Sequence, residues 1–320
     1  MSWTEPILDA LAAQPGLGYL PGSAPAAEPT AIAALSLLAH GRREAALQAA
    51  EALAKMQGDN GAVGIRAGEA TPGWPTSLAI VAWSAVGNAL CGVPAPLPSD
   101  PHSERHRGRS LQSNIDRGLA WLLANRGSSI PRSPDFGHNP ELVGWAYAKQ
   151  THSWVEPTSF AVLALQAAGQ GHAAAAREGI AVLFDRQLPG GGLNYGNTYV
   201  LGQLIRPHVQ PTGIALLALA GQTDGTDKLA KSIAWLWRSI GSKTTPLSLG
   251  WALLGLRAQG VELPQADEWL ESVAGRLRLP SAVDQRSTAN DGTPTHSAGT
   301  PVPATYKQAL LALAAKGWPA

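Results

Sequence analysis

The sequence predicts an all-α chain arranged as an α6/α6 toroid, six parallel inner helices ringed by six outer ones. Three observations predict it. A proline-led start recurs six times ahead of a run rich in Ala and Leu. Amphipathic segments alternate strictly with those runs. The runs themselves are apolar nearly all round, which is the pattern of a helix buried on every side.

The six inner starts are Glu28-Pro29-Thr30, Trp74-Pro75-Thr76, Glu156-Pro157-Thr158, Gln210-Pro211-Thr212, Pro246-Leu247-Ser248 and Pro303-Ala304-Thr305. Proline suits a first helical turn, where its missing N–H leaves nothing unpaired and its φ is already set. Glycine at the far end is the matching stop. These marks give helices of roughly 10 to 13 residues. The outer helices are expected over 4–13, 45–57, 114–126, 173–187, 227–240 and 264–278, each with one apolar stripe and one charged face. Helical hairpins of this kind bury their apolar sides against neighbours. An open stack would need polar capping repeats at its ends, and the sequence shows none, so closure is expected. The chain then reads as one domain, 1–320, with loop insertions near 88–111, 127–151 and 281–300. They are rich in Pro, Gly, Ser and Arg or otherwise polar, and long enough to carry function.

Composition narrows the classes. Hydrophobic residues make up 45% of 320 and charged ones only 15%, which fits much interior and little surface. A net charge of +1 gives no electrostatic pull toward nucleic acid, so no nucleic-acid partner is expected. The one basic cluster, Arg105, His106, Arg107 and Arg109, lies among Pro, Ser and Gly and reads as a solvated loop. Cys91 is the only cysteine, so no internal disulfide forms and a reducing, cytoplasmic compartment is expected. Residues 1–13 have neither the basic start nor the apolar core of a signal peptide. No run of about 18 apolar residues exists, so no spanning helix is expected. Peripheral contact with a membrane through an apolar patch stays open.

Two segments carry a resemblance. Gln187-Leu188-Pro189-Gly190-Gly191-Gly192-Leu193-Asn194-Tyr195-Gly196, with a weaker echo at Gln57–Gly64, resembles the Gln- and Gly-rich turns of the squalene–hopene cyclase and prenyltransferase repeat superfamily. In that superfamily the turn follows an outer helix and leads into the next inner one. Trp154-Val155-Glu156-Pro157-Thr158-Ser159-Phe160-Ala161 resembles the D-x-D-D-T-A helix start of class II terpene cyclases. Glu156 falls on the middle Asp, the general acid of those enzymes, and Thr158 on the Thr. Trp154 and Pro157 stand where the flanking acids would be. The resemblance implies a toroid over the whole chain, an apolar isoprenoid-like substrate, no cofactor, and Glu156 as proton donor. Zinc-dependent branches of the superfamily need Cys and His ligands. Cys91 stands in an apparent loop, and no His pair has ligand spacing on one helix, so no metal site is expected.

In a ring of parallel inner helices the N-termini share one mouth, where the helix dipoles gather partial positive charge. Glu28, Trp74, Trp154, Glu156, His208 and Gln210 fall there. The candidate catalytic residues are Glu156 and Glu28, with His152 and His208 placed to orient the proton of Glu156. Trp74, Trp154, Asn194, Tyr195 and Gln210 are the candidate substrate contacts. A general acid must stay protonated near neutral pH, a rise of roughly three pKa units or about 4 kcal/mol from burial. The competing role for Glu156 is an anionic helix cap, with its pKa lowered by the dipole. Three functions follow. One is an isoprenoid-directed lyase or isomerase of the class II cyclase kind. Another is a non-catalytic toroid that binds a lipid or protein partner. The third is an α6/α6 carbohydrate-active enzyme with Glu28 and Glu156 as its carboxylate pair, about 5 to 9.5 Å apart. For the last, the first and third inner helices are not neighbours in the ring, which predicts too wide a gap.

Overall fold

The computed structural model describes residues 2–69, 71, 73–91, 101–133, 135–277 and 305–319. Among them the chain is all-α, with twelve helices. In order these are α1 (Glu5–Ala12), α2 (Ala27–Ala39), α3 (Arg43–Ala54), α4 (Thr76–Cys91), α5 (Pro101–Ala124) and α6 (Val155–Ala167). Then follow α7 (Ala174–Asp185), α8 (Val209–Ala218), α9 (Lys228–Ser239), α10 (Pro246–Ala258), α11 (Ala266–Leu277) and α12 (Thr305–Lys316). The one paired sheet is a short antiparallel hairpin, β1 (Tyr199–Val200) with β2 (Gln203–Leu204), between α7 and α8.

The even-numbered helices that begin with the proline motif are the buried ones. In α6 every residue from Val155 to Leu165 is buried, and in α10 every residue from Leu249 to Leu256. The odd-numbered helices bury one stripe. In α3 this is Ala46, Leu47, Ala49, Ala50 and Leu53, spaced for a single helical face. Helix α2 packs against α4, α4 against α6, α6 against α8, α8 against α10, α10 against α12, and α12 against α2. The C-terminal ends of these helices are tied to each other. Gln166 Nε2 donates to the Ala218 carbonyl at 3.1 Å, Gln259 Nε2 to that of Leu216 at 2.7 Å, and His40 Nε2 lies 2.9 Å from the Ala312 carbonyl. Side chains of one helix thereby serve carbonyls in the last turns of the next. Those ends are closed by glycine in the left-handed region at Gly41, Gly169 and Gly260. At each, the N–H of the glycine and of its successor fold back onto the last turn, as in Gly41 to Leu38 at 2.9 Å and Arg42 to Leu37 at 2.8 Å.

The proline motif works differently from the sequence expectation. Of the buried, proline-motif helices described, only α10 has Pro at the first helical position. In α2, α6 and α8 the helix begins two residues earlier, so Pro29, Pro157 and Pro211 take the third position. No hydrogen bond is lost, because the first four N–H groups of a helix have no partner within it. Glu28, Glu156 and Gln210 therefore sit inside the first turn rather than before it. The threonine that follows each proline is a clamp. Its hydroxyl accepts the backbone N–H of Leu17 (to Thr30, 3.0 Å), Val63 (to Thr76, 2.8 Å), Trp145 (to Thr158, 3.0 Å) and Leu193 (to Thr212, 2.8 Å). Each clamp fastens the preceding turn across the N-terminal end of its helix. Thr158→Val keeps the shape, removes the acceptor and leaves the buried Trp145 N–H unpaired. It should cost about 1–3 kcal/mol, read as a lower midpoint in urea, with Thr158→Ser close to the parent chain.

Two loop expectations change. The 88–111 insertion is largely helical, since α4 runs through Cys91 and α5 begins at Pro101. The basic cluster Arg105–Arg109 lies on that helix, not in a solvated loop. A proline start and a run of ordinary helix formers suffice for a helix that has few apolar residues. Residues 92–100 lie outside the described residues, as do the 281–300 insertion, His296 and Pro303. The 127–151 insertion holds no helix or strand among its described residues.

Candidate functional site

The N-terminal ends of the buried helices converge on two glutamates. Glu156, at the second position of α6, is 8% exposed. Its carboxylate accepts hydrogen bonds from the Tyr147 hydroxyl and from Gln210 Nε2, the latter at 2.9 Å. Gln210 comes from the same position of α8. Glu28, the equivalent residue of α2, accepts the Tyr19 hydroxyl at 2.8 Å and also interacts with the Tyr306 hydroxyl of α12. Trp251 of α10 donates its indole N–H to Tyr306 Oη at 3.3 Å. Four helices and three tyrosines thus meet two carboxyl groups.

Burial holds both carboxyls above the ordinary value near 4.5. For Glu156 desolvation dominates, and the hydrogen bonds from Tyr147 and Gln210 oppose it. For Glu28 desolvation again dominates, opposed by Tyr306 and Tyr19 and reinforced by the charge of Glu156. The Glu156 charge is the last of the causes acting on Glu28, and α4 packs between α2 and α6. The tyrosines are pushed up in turn. Burial raises Tyr147, Tyr19 and Tyr306, and the neighbouring glutamates raise them further. The helix dipole predicts the opposite sign for a capping glutamate. Here desolvation wins over it.

Aromatic rings pack around Tyr147, the donor to Glu156. The ring of Tyr147 lies edge-on to Trp74 at 5.8 Å between centroids and tilted against Trp154 at 6.0 Å. Tyr195, 44% exposed, tilts against His208 at 5.2 Å, and its pKa rises through burial and the Glu156 charge. The expected contacts Trp74, Trp154, Tyr195 and Gln210 therefore gather at one place with Glu156 and Glu28.

The histidines do not take the expected part. His152 stacks on Trp154 at 4.7 Å, and its buried Nε2 has no hydrogen-bond partner. His208 is the residue before α8 and lies against Tyr195. Neither is bonded to Glu156, so the assignment of proton orientation to them is corrected: Tyr147 and Gln210 hold the carboxyl. Burial, then the Arg186 charge, lowers the His152 pKa, which further disfavours an imidazolium there. Asn194 is buried, and its Oδ1 accepts the Gly196 N–H at 3.0 Å. It shapes the turn and does not touch the glutamates.

Tyr19, Tyr147 and Tyr306 were not among the sequence candidates. A signal for the first two was present. Gly16-Leu17-Gly18-Tyr19, Gly144-Trp145-Ala146-Tyr147 and Gly192-Leu193-Asn194-Tyr195 share one pattern, and Tyr19 and Tyr147 each stand nine residues before a Glu-Pro-Thr. In each turn the residue two before the tyrosine is the one clamped by threonine, and Tyr19 and Tyr147 reach the glutamates from there.

Among the described residues no group of three or more His, Cys, Asp or Glu is placed to hold a metal ion, and no helix is long and apolar enough to cross a membrane. Comparison with protein-family models and with curated proteins finds no match for this chain.

Proposed function

We propose that the chain is an α6/α6 toroid with an acid-catalysis site in its mouth, acting on an isoprenoid-like substrate as a class II cyclase-like lyase or isomerase. Closure is supported by the packing order of the buried helices, which returns from α12 to α2. It is also supported by the Thr305 N–H, which donates to the Tyr19 carbonyl at 3.0 Å and so joins the last helix to the first turn.

The observation that carries the chemistry is the buried Glu156, its carboxyl raised by desolvation and held by Tyr147, whose ring packs against Trp74 and Trp154. A neutral carboxyl in an apolar, aromatic setting is a proton donor to an alkene or epoxide. The carbocation that forms faces the π-clouds of the rings. Glu156 delivers the proton and, as the carboxylate left behind, takes one back when the cation collapses to an alkene. Gln210 and Tyr147 fix the acid without adding charge.

The test is incubation with a panel of polyprenyl alcohols, diphosphates, linear triterpenes and their epoxides, with product analysis by mass spectrometry. Cyclised or isomerised product from the parent chain that disappears in Glu156→Gln supports the reading. Equal product from both, or none from any substrate, sinks it. A second reading, the carbohydrate-active enzyme, rests on the Glu156 charge, the last of the causes acting on the Glu28 carboxyl. It requires that oligosaccharides be cleaved and that Glu28→Gln and Glu156→Gln each stop the cleavage.

A further inference from the structure

At the end of the fold away from the glutamates, side chains tie α6 to α8, α8 to α10, α10 to α12 and α12 to α2. Among the described residues no such tie crosses from α4 to α6. The clamp threonines show why, because they set a common register. Leu38 of α2, Ser84 of α4 and Gln166 of α6 are equivalent, each eight residues after its threonine. Gln166 reaches the next helix, where its Nε2 donates to the Ala218 carbonyl at 3.1 Å. Leu38 fills its position with an apolar side chain packed on the core. Ser84 does neither. It is 4% exposed, and its Oγ has no hydrogen-bond partner. A buried hydroxyl in that state carries a desolvation cost that the fold does not offset.

Space takes the place of the missing side chain. A cavity of about 350 Å³ is lined by Ser84 and by the end of α6 at Ala167 and Ala168, with Leu111 and Ile115 of α5 as its apolar wall. Gly87 lines it too, and a Cβ there would meet nothing within 4 Å. The equivalent Gly41 and Gly169 close α2 and α6 in the left-handed region, whereas α4 runs on through Gly87 to Cys91 and extends the wall. The Ala167 and Ala168 carbonyls accept no hydrogen bond among the described residues. Gln112, also on the lining, gives its Nε2 to Asp116 at 2.9 Å, which leaves its amide oxygen as a further acceptor.

We propose that this cavity binds a small neutral primary carboxamide, which supplies the amide end that Ser84 lacks. The ligand N–H groups serve the carbonyls at the end of α6, as Gln166 serves α8, and the ligand carbonyl accepts the Ser84 hydroxyl. An apolar body lies on Leu111 and Ile115, both buried. Charge selects the class. The C-terminal end of α6 bears partial negative charge, which disfavours a carboxylate. No Asp, Glu, Lys, Arg or His is among the described lining residues, so a full charge of either sign would be buried without a partner. The volume is near the lower end for small-molecule sites and suits a single ring. The site is separate from Glu28 and Glu156, so it does not depend on the chemistry assigned to them.

Saturation-transfer NMR and melting temperatures of the full chain test it with benzamide, benzoate and benzylamine, three probes of one shape and three charges. Benzamide shows saturation transfer and raises the melting temperature, and the other two do neither at the same concentration. Ser84→Gln supplies the missing side chain from the protein itself. It melts above the parent without ligand, and its affinity for benzamide falls about tenfold or more because the space is filled. Ser84→Ala keeps the space and removes the hydroxyl, so it melts no lower than the parent and binds benzamide about three- to tenfold more weakly. A parent that does not bind benzamide overturns the proposal, as does binding that either variant leaves unchanged. Benzylamine binding in place of benzamide also overturns it, and gives the cavity to a cation held by the end of α6.

Discussion

Glu156→Gln loses turnover by about 10²- to 10⁴-fold, the usual contribution of a positioned general acid, and at the same time becomes more stable than the parent above neutral pH. The two effects share one cause. Glu156 is buried, and burial raises its carboxyl above the ordinary value near 4.5. In the pH range above that value the folded state holds more protons than the unfolded one. The pH derivative of unfolding free energy is then negative, so the stabilisation present at low pH is lost as pH rises through the folded-state pKa. Glutamine has no charge to desolvate. It can still accept from Tyr147 through its amide oxygen, and its amide nitrogen takes the place of the oxygen that faces Gln210, whose own amide can turn to accept. Melting temperatures of parent and variant from pH 5 to 9 should therefore diverge, with the parent falling and the variant flat. Glu28→Gln should flatten the remaining slope, because Glu28 is raised by burial and by Glu156. A parent whose stability rises with pH over that range would mean that the anion is the favoured form, and Glu156 would be the helix cap after all.

This balance between dipole and desolvation explains how far the site was legible in the sequence. The Glu-Pro-Thr triplets, the buried runs and the closing glycines follow local rules, and they place eleven of the helices close to where they form. The twelfth, α5, reaches back to Pro101 through residues whose composition reads as loop, because helix propensity and polarity are separate properties. The glutamates were visible as residue types at helix starts. Their raised pKa was not, since it depends on how completely the turns before α2 and α6 cover them. Those turns are set by the threonine clamps, which join residues 13 apart in three repeats and 19 apart in the fourth, where the β1–β2 hairpin is inserted. The histidines were misread for a related reason. His152 and His208 lie near the right helix starts, but His152 stacks on Trp154 and His208 lies against Tyr195. Proximity in sequence to a helix start does not fix the direction of a side chain, and the tyrosines nine residues upstream point inward instead.

Gly255→Ala should destabilise the packing of α10 on α8. Helices α8 and α10 have the most extensive contact of any pair, and their backbones touch. A Cβ on Gly255 would lie 2.2 Å from the Gly213 carbonyl oxygen, and a Cβ on Gly213 would lie 2.6 Å from the carbonyl of Trp251. Neither obstacle is a flexible side chain, so the whole of α10 must move. Forced separation of packed helices costs about 1–3 kcal/mol or more. That exceeds the gain of roughly 1 kcal/mol that alanine brings to a helix interior over glycine. Gly275→Ala on α11 is the control, because that glycine is exposed and nothing lies within 4 Å of its added methyl. It should be neutral or stabilising. The damage from Gly255→Ala reaches the site as well. Trp251 is fully buried on α10, and its indole N–H holds Tyr306, which in turn serves Glu28. A displaced α10 withdraws that tyrosine, and a carboxyl that loses a donor is raised further. The variant should therefore show a lower melting temperature at every pH and a steeper fall of stability with rising pH than the parent. A melting curve for Gly255→Ala that superimposes on that of Gly275→Ala would show that the two helices are not in backbone contact in solution.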